Sequence, residues 1–156
     1  MNIFILDEDP VRAAQMLCDK HVVKMCLETA QMLSTISGGP YKPTHANHPC
    51  TVWAKYSRSN YLWLYYHGMA IAEEYEFRYA KEHKCKAVIH SLFEIPEKIP
   101  GIGTGPTPFA QAMPDQYKNT NAVDAYRDYY MSKLAFLEWT KRETPEWFLQ
   151  RLDKMI

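Results

Sequence analysis

The chain has 156 residues, 47% hydrophobic and 23% charged, with eighteen basic against eighteen acidic side chains. That is the profile of one globular domain, long enough to bury about two-thirds of its unfolded surface, and it excludes a disordered chain. Zero formal charge removes the basic excess usual in nucleic-acid binders and leaves a local patch as the only electrostatic route to such a partner.

No apolar run approaches the roughly 18 residues of a membrane span. Residues 2–6 are too short for the core of a secretory leader. Cys18, Cys26, Cys50 and Cys85 show no close-spaced pair of the metal-binding kind, so free thiols in a reducing cytoplasm, away from membranes, are expected.

Residues 1–9 read as an N-terminal arm in which Asn2 to Leu6 form either a short strand or an extended segment packed on the body. Asp9-Pro10 is a helix start, an Asp cap followed by Pro where a missing N–H costs nothing. One helix is predicted from there to about Ser37, stopping at Gly38-Gly39-Pro40. Within it Lys20, Lys24 and Glu28 share an i, i+4 row, with His21 and Gln31 beside it. Val22, Val23, Met25, Cys26, Leu27, Ala30 and Leu33 occupy much of the remaining circumference, and a helix so apolar belongs in a core. Its polar row therefore either lines a cleft or forms a satisfied ion-pair row such as Lys24 with Glu28.

In the loop over residues 40–50, His45 and His48 lie three apart. No third or fourth ligand sits at a recognisable spacing, so no metal is expected. Hydrogen bonding to a phosphate or a base edge and a plain structural loop both stay open. A second helical region is predicted from Thr51 to His83, with Val52, Trp53, Tyr56, Leu62, Trp63, Tyr66, Ala70, Ile71 and Phe77 apolar and a division at Ser57 to Asn60. A short helix over Lys86 to Phe93 follows.

Residues 94–119 contain Pro96, Pro100, Pro106, Pro108 and Pro114 with Gly101, Gly103 and Gly105, a density no helix survives. A long ordered loop of this kind is often functional. Gln111, Asp115, Tyr117 and Lys118 at its end are suited either to reading a ring edge or to plain turn chemistry. Asn121 caps a helix with Val123, Tyr126, Tyr130, Leu134 and Leu137 inward, and Thr144-Pro145-Glu146 begins a last one. The predicted fold is all-α, a compact single-domain bundle over residues 1–156 with a short arm and one long Pro/Gly-rich loop.

Lys55, Arg58, Arg78, Arg127 and Lys133, interleaved with Tyr61, Tyr79 and Tyr129, suggest a groove that tracks a nucleic-acid backbone. Lys20 and Asn60 join that set, and a solvated face is the bland alternative. No Walker loop, dinucleotide fingerprint or serine elbow is present, and the glycines at 101–105 follow no strand. No cofactor is implied.

The order and spacing of Asp19, His21 and Glu28 resemble the pyrimidine-dimer DNA glycosylases of the endonuclease V type known from phage, in which a short arm precedes a long helix bearing a His and, seven residues later, a catalytic Glu. Tyr41-Lys42, His48-Pro49 and the segment Glu74-Tyr75-Glu76-Phe77-Arg78-Tyr79 are similar too, so the likeness runs over about residues 1–83. The pattern from the MNIF start through the QAMPDQYK loop is typical of phage-encoded members. The resemblance implies duplex DNA with a damaged or modified pyrimidine as partner, in the cytoplasm of a bacterial host, for a monomer or small homo-oligomer. It also implies an N-terminal amine that attacks the sugar C1′, since α-amines lose their proton more readily than lysine side chains. Glu28 would move protons, with His21 and Lys24 on sugar or phosphate. Asn2 is too bulky for ordinary removal of the initiator, so either Met1 supplies the amine or that chemistry is replaced. Two other readings stand beside this one: a transferase that decorates a modified pyrimidine, and a non-catalytic phage protein that binds a host partner.

Overall fold

Asp9 caps the first helix as its sequence predicts: its Oδ1 accepts from the N–H groups of Val11 at 2.8 Å and Arg12 at 3.3 Å. The computed structural model describes all of residues 1–156 and contains seven α-helices and no strand. They are α1 (Pro10–Met16), α2 (Asp19–Ser37), α3 (Pro49–Tyr56), α4 (Arg58–Tyr79), α5 (Lys86–Ser91), α6 (Ala122–Met131) and α7 (Glu146–Lys154). The all-α expectation holds. Helix α4 is the axis, packed against α1, α2, α3 and α5, while α6 packs on α7.

The helix predicted from 10 to 37 is two helices. Leu17 and Cys18 are extended (ψ 137° and 162°), and tertiary partners hold the break. The Cys18 N–H donates to the Tyr130 hydroxyl at 3.1 Å, the Asp19 N–H to the Glu138 carbonyl at 2.8 Å, and Trp139 Nε1–H to the Met16 carbonyl at 2.7 Å. No Gly or Pro marks the break, because the groups that satisfy it lie more than a hundred residues away. At its far end α2 stops as expected, with Gly38 in the left-handed region (φ 75°) and its N–H on the Ser34 carbonyl.

The division near Ser57 is present, Ser57 Oγ accepting the Asn60 N–H at 3.1 Å. The Asn121 cap is present as well, its Oδ1 accepting the Asp124 N–H at 3.2 Å. Leu134 and Leu137, predicted to share the inner face of this helix, instead follow its end at Met131, and Leu134 is exposed in a 3₁₀ turn. Val23 and Leu27 on α2, and Val52, Tyr56, Tyr66 and Phe77 on α3 and α4, are exposed rather than buried.

The arm is extended and forms no strand; Ile3, Phe4, Ile5 and Leu6 enter the core. Phe4 has φ 55°, a region in which a bulky side chain costs on the order of 1–3 kcal/mol and which clusters at functional sites. Residues 94–119 form the irregular loop expected, apart from a 3₁₀ turn at Asp115–Tyr117. No helix is long and apolar enough to cross a membrane.

Candidate active site

Helix α2 turns Glu28 and His21 inward and leaves Lys20 and Lys24 outward, so the i, i+4 row does not act as one unit. Glu28 is only 6% exposed. Its Oε1 lies 3.3 Å from the Met1 α-amine and accepts the Asn2 N–H at 2.9 Å. Lys24 Nζ reaches Oε2 only at 3.9 Å and is largely solvated, so it contributes little pairing energy. The carboxylate is thus held chiefly by the start of the chain, twenty-six residues away in sequence. The Lys24–Glu28 pair offered as one alternative does form, but at the long end of ion-pair distance and with Lys24 in solvent, and the Met1 amine is the closer partner.

These groups line a cleft of about 530 Å³ together with Phe4, Lys20, His21, Met25, Tyr129, Lys133 and Phe136. Glu28 is the sole acid among them. The three lysines stand over aromatic faces or at the rim: Lys133 Nζ lies 4.4 Å from the Tyr129 ring centre, Lys20 Nζ 4.7 Å from that of Phe136. Such cation–π contacts are worth about 0.5–1 kcal/mol at exposed sites and also fix where the charge sits. A chain of zero net charge therefore presents a concentrated positive rim around one buried carboxylate.

His21, expected to touch sugar or phosphate, is engaged internally. Its ring stacks on Phe4 at 4.2 Å and its Nδ1 hydrogen-bonds the Tyr130 hydroxyl at 2.6 Å. Burial, reinforced by Lys133, Lys24 and Lys20, pushes its pKa down to about 3. It is neutral at pH 7 and gives no cationic contact; its geometry supports Phe4 instead. His48 caps α3 by accepting the Cys50 N–H at 3.1 Å. Burial and the positive chain terminus lower its pKa, against Glu28 and the Met1 backbone, which raise it. The loop histidine therefore sits beside the amine. His45 is exposed, at φ 50°, bonded to Thr44 Oγ1.

Other expected contacts are drawn elsewhere. Arg78 has no exposed side-chain surface and bonds Glu74 at 2.8 Å, Asp19 at 3.0 Å and the Gln15 carbonyl at 2.9 Å, so it cannot meet DNA. Asn60 is fully buried, its amide closed on Trp53 and Thr107. Arg127 bonds the Leu6 carbonyl and Asp7 and covers Trp147. Lys55 lines a separate apolar groove with Val52, Tyr56 and Lys98, and the Arg58 side chain lies against Gly101. Gln111 closes its own loop on Asn119, and Asp115 pairs with Lys118. Tyr117 alone of that group adjoins the cleft, its ring 5.3 Å from Tyr129.

Sequence reasoning missed Asn2, Phe4 and Phe136 as site residues. An Asn opening an apolar arm was the one available signal for Asn2. The other two become visible only once the chain ends meet.

The sequence model of the pyrimidine dimer DNA glycosylase family matches residues 1–87, more than half of the chain. The chain belongs to this family, and it is accordingly a DNA-acting protein of the glycosylase type. No curated protein and no solved structure matches it. The matched span supplies Met1, Asn2, Phe4, Lys20, His21, Lys24, Met25 and Glu28; Tyr129, Lys133 and Phe136, the opposite wall, lie outside it.

Proposed function

We propose that this chain removes a damaged or modified pyrimidine from duplex DNA and then cuts the strand, through an imine formed at its own N-terminus. The observation that carries the reading is the 3.3 Å approach of the Met1 α-amine to Glu28 Oε1 at the floor of an open, lysine-rimmed cleft. Glu28 takes one proton from the amine, whose lone pair attacks C1′. The glycosidic bond breaks, its electron pair leaves with the base, and the departing base takes the second proton from the attacking nitrogen. Glu28 returns the proton to the ring oxygen as the sugar opens, and the carboxylate stabilises the iminium so formed. Loss of a C2′ proton then expels the 3′ phosphate, and water releases the enzyme. Lys20, Lys24 and Lys133 hold the flanking phosphates, and extrusion of the damaged nucleotide brings C1′ to the floor.

Duplexes carrying one pyrimidine dimer or one abasic site, incubated with the protein and borohydride, test this. A covalent adduct mapped to Met1 by peptide mass is the expected result. Absence of both adduct and nicking, or an adduct on an internal lysine, rejects it.

A further inference from the structure

A chain terminus is poorly ordered unless something ties it down, and an attacking atom must be held within roughly 3–3.5 Å of its target. The groups that tie this terminus converge on Asn2, which is 8% exposed. Its Oδ1 accepts the N–H of Ile3 at 2.7 Å and of Phe4 at 3.2 Å. Its Nδ2 donates to the Ala112 carbonyl at 2.8 Å, and its backbone N–H donates to Glu28 at 2.9 Å. The two bonds to Oδ1 fold the arm into a tight local turn at the point where Phe4 takes its positive φ of 55°. That turn places the Phe4 ring against His21 at 4.2 Å and facing Tyr129 at 6.1 Å. Ala112 is itself fixed from α6, since the Tyr126 hydroxyl accepts its N–H at 3.1 Å and donates to the Ala110 carbonyl at 2.6 Å. A continuous run of bonds therefore leads from α6, through the end of the long loop, to Asn2 and Glu28.

We infer that Asn2 is a positioning residue that aims the Met1 amine into the cleft and couples its aim to the 94–119 loop through Ala112. This rests on the reading of that amine as the nucleophile. Apolar burial of Ile3 to Leu6 fixes the depth of the arm but is indifferent to where its first nitrogen points. The Asn2 amide, bonded on both sides, fixes the direction.

Single-turnover borohydride trapping on an abasic duplex measures this, with the rate constant read separately from the amplitude and from the DNA dissociation constant. Asn2→Leu, close to isosteric, still too large for loss of Met1 and lacking the amide, lowers the rate constant by about 10- to 100-fold, the effect of misplacing a reacting group by about an ångström, with amplitude and DNA affinity unchanged. Tyr126→Phe leaves Asn2 in place, frees Ala110 and Ala112, and slows trapping to a smaller extent. A wild-type rate constant in Asn2→Leu, or a reduced amplitude at an unchanged rate constant, overturns the positioning role and leaves the amine chemistry standing. An unchanged rate in Tyr126→Phe overturns the coupling to the loop. Silence of the wild-type protein removes the amine chemistry and this role with it.

Discussion

Glu28 is anchored by two nitrogens of the chain start, which makes it separable by mutation from the fold. In Glu28→Gln the amide oxygen still accepts the Asn2 N–H, so the arm stays docked, but the side chain no longer shuttles a proton or carries charge. Trapping and nicking rates are expected to fall by about 10²–10⁴-fold, the usual contribution of a positioned acid–base group. DNA affinity measured by anisotropy stays within a few-fold. Lys133 behaves in the opposite way. Its ammonium lies over Tyr129 at the rim, so Lys133→Ala weakens DNA binding and lowers the slope of log K against log salt by about 0.9, one phosphate contact. The single-turnover rate at saturating protein is retained.

At the scale of elements, Glu74 on α4 joins three segments. Arg142 grips both its oxygens at 2.9 Å, Arg78 one of them at 2.8 Å, and Arg78 continues to Asp19 at the start of α2. Burial alone would raise the Glu74 carboxyl, but the hydrogen bonds and charges of Arg142 and Arg78 outweigh it and its pKa falls. Arg78→Met leaves Asp19 without its buried partner and Glu74 with Arg142 alone. The expected loss is about 3 kcal/mol, the low end for breaking a buried pair, read as a lower urea midpoint at unchanged slope. This network also explains what local pattern reveals and what it does not. The caps at Asp9, Ser57 and Asn121 were legible because each bond spans two or three residues. The break at Leu17–Cys18 and the burial of Arg78 were not, since their partners Tyr130, Glu138 and Asp19 are distant in sequence. At the cleft, the spacing of His21 and Glu28 pointed to α2, and both side chains line it. The internal engagement of His21 depends on Phe4 and Tyr130, which no helix wheel displays.

For the whole molecule, buried imidazoles set the response to acid. His21 is lowered to about 3, by burial first and then by nearby lysines. His67, fully buried in α4 and bonded to the Pro10 carbonyl, is lowered to about 4 by burial, only partly offset by the Pro10 and Ile3 backbone. An unfolded histidine titrates at about 6.5, so below that pH the unfolded chain binds protons that the folded chain refuses. Stability therefore rises with pH across this window: it is complete above about 6.5 and lost progressively as pH falls toward 4. Each of the two groups contributes a slope of at most about 1.4 kcal/mol per pH unit where only the unfolded form is protonated. His67 also packs on Trp63 at 4.9 Å, so His67→Phe keeps a ring in place while removing one titration. Urea denaturation at pH 7, 6 and 5 should show a steep fall in the wild type and a clearly shallower one in His67→Phe, whatever the variant's stability at pH 7, with His21 and, more weakly, His48 supplying what remains. Equal slopes in the two proteins would mean that His67 is protonated in the folded chain. Because His21 lies against the cleft and His67 does not, the variant also separates acid unfolding from acid loss of catalysis: trapping at pH 5.5, normalised to folded protein, should be the same in both.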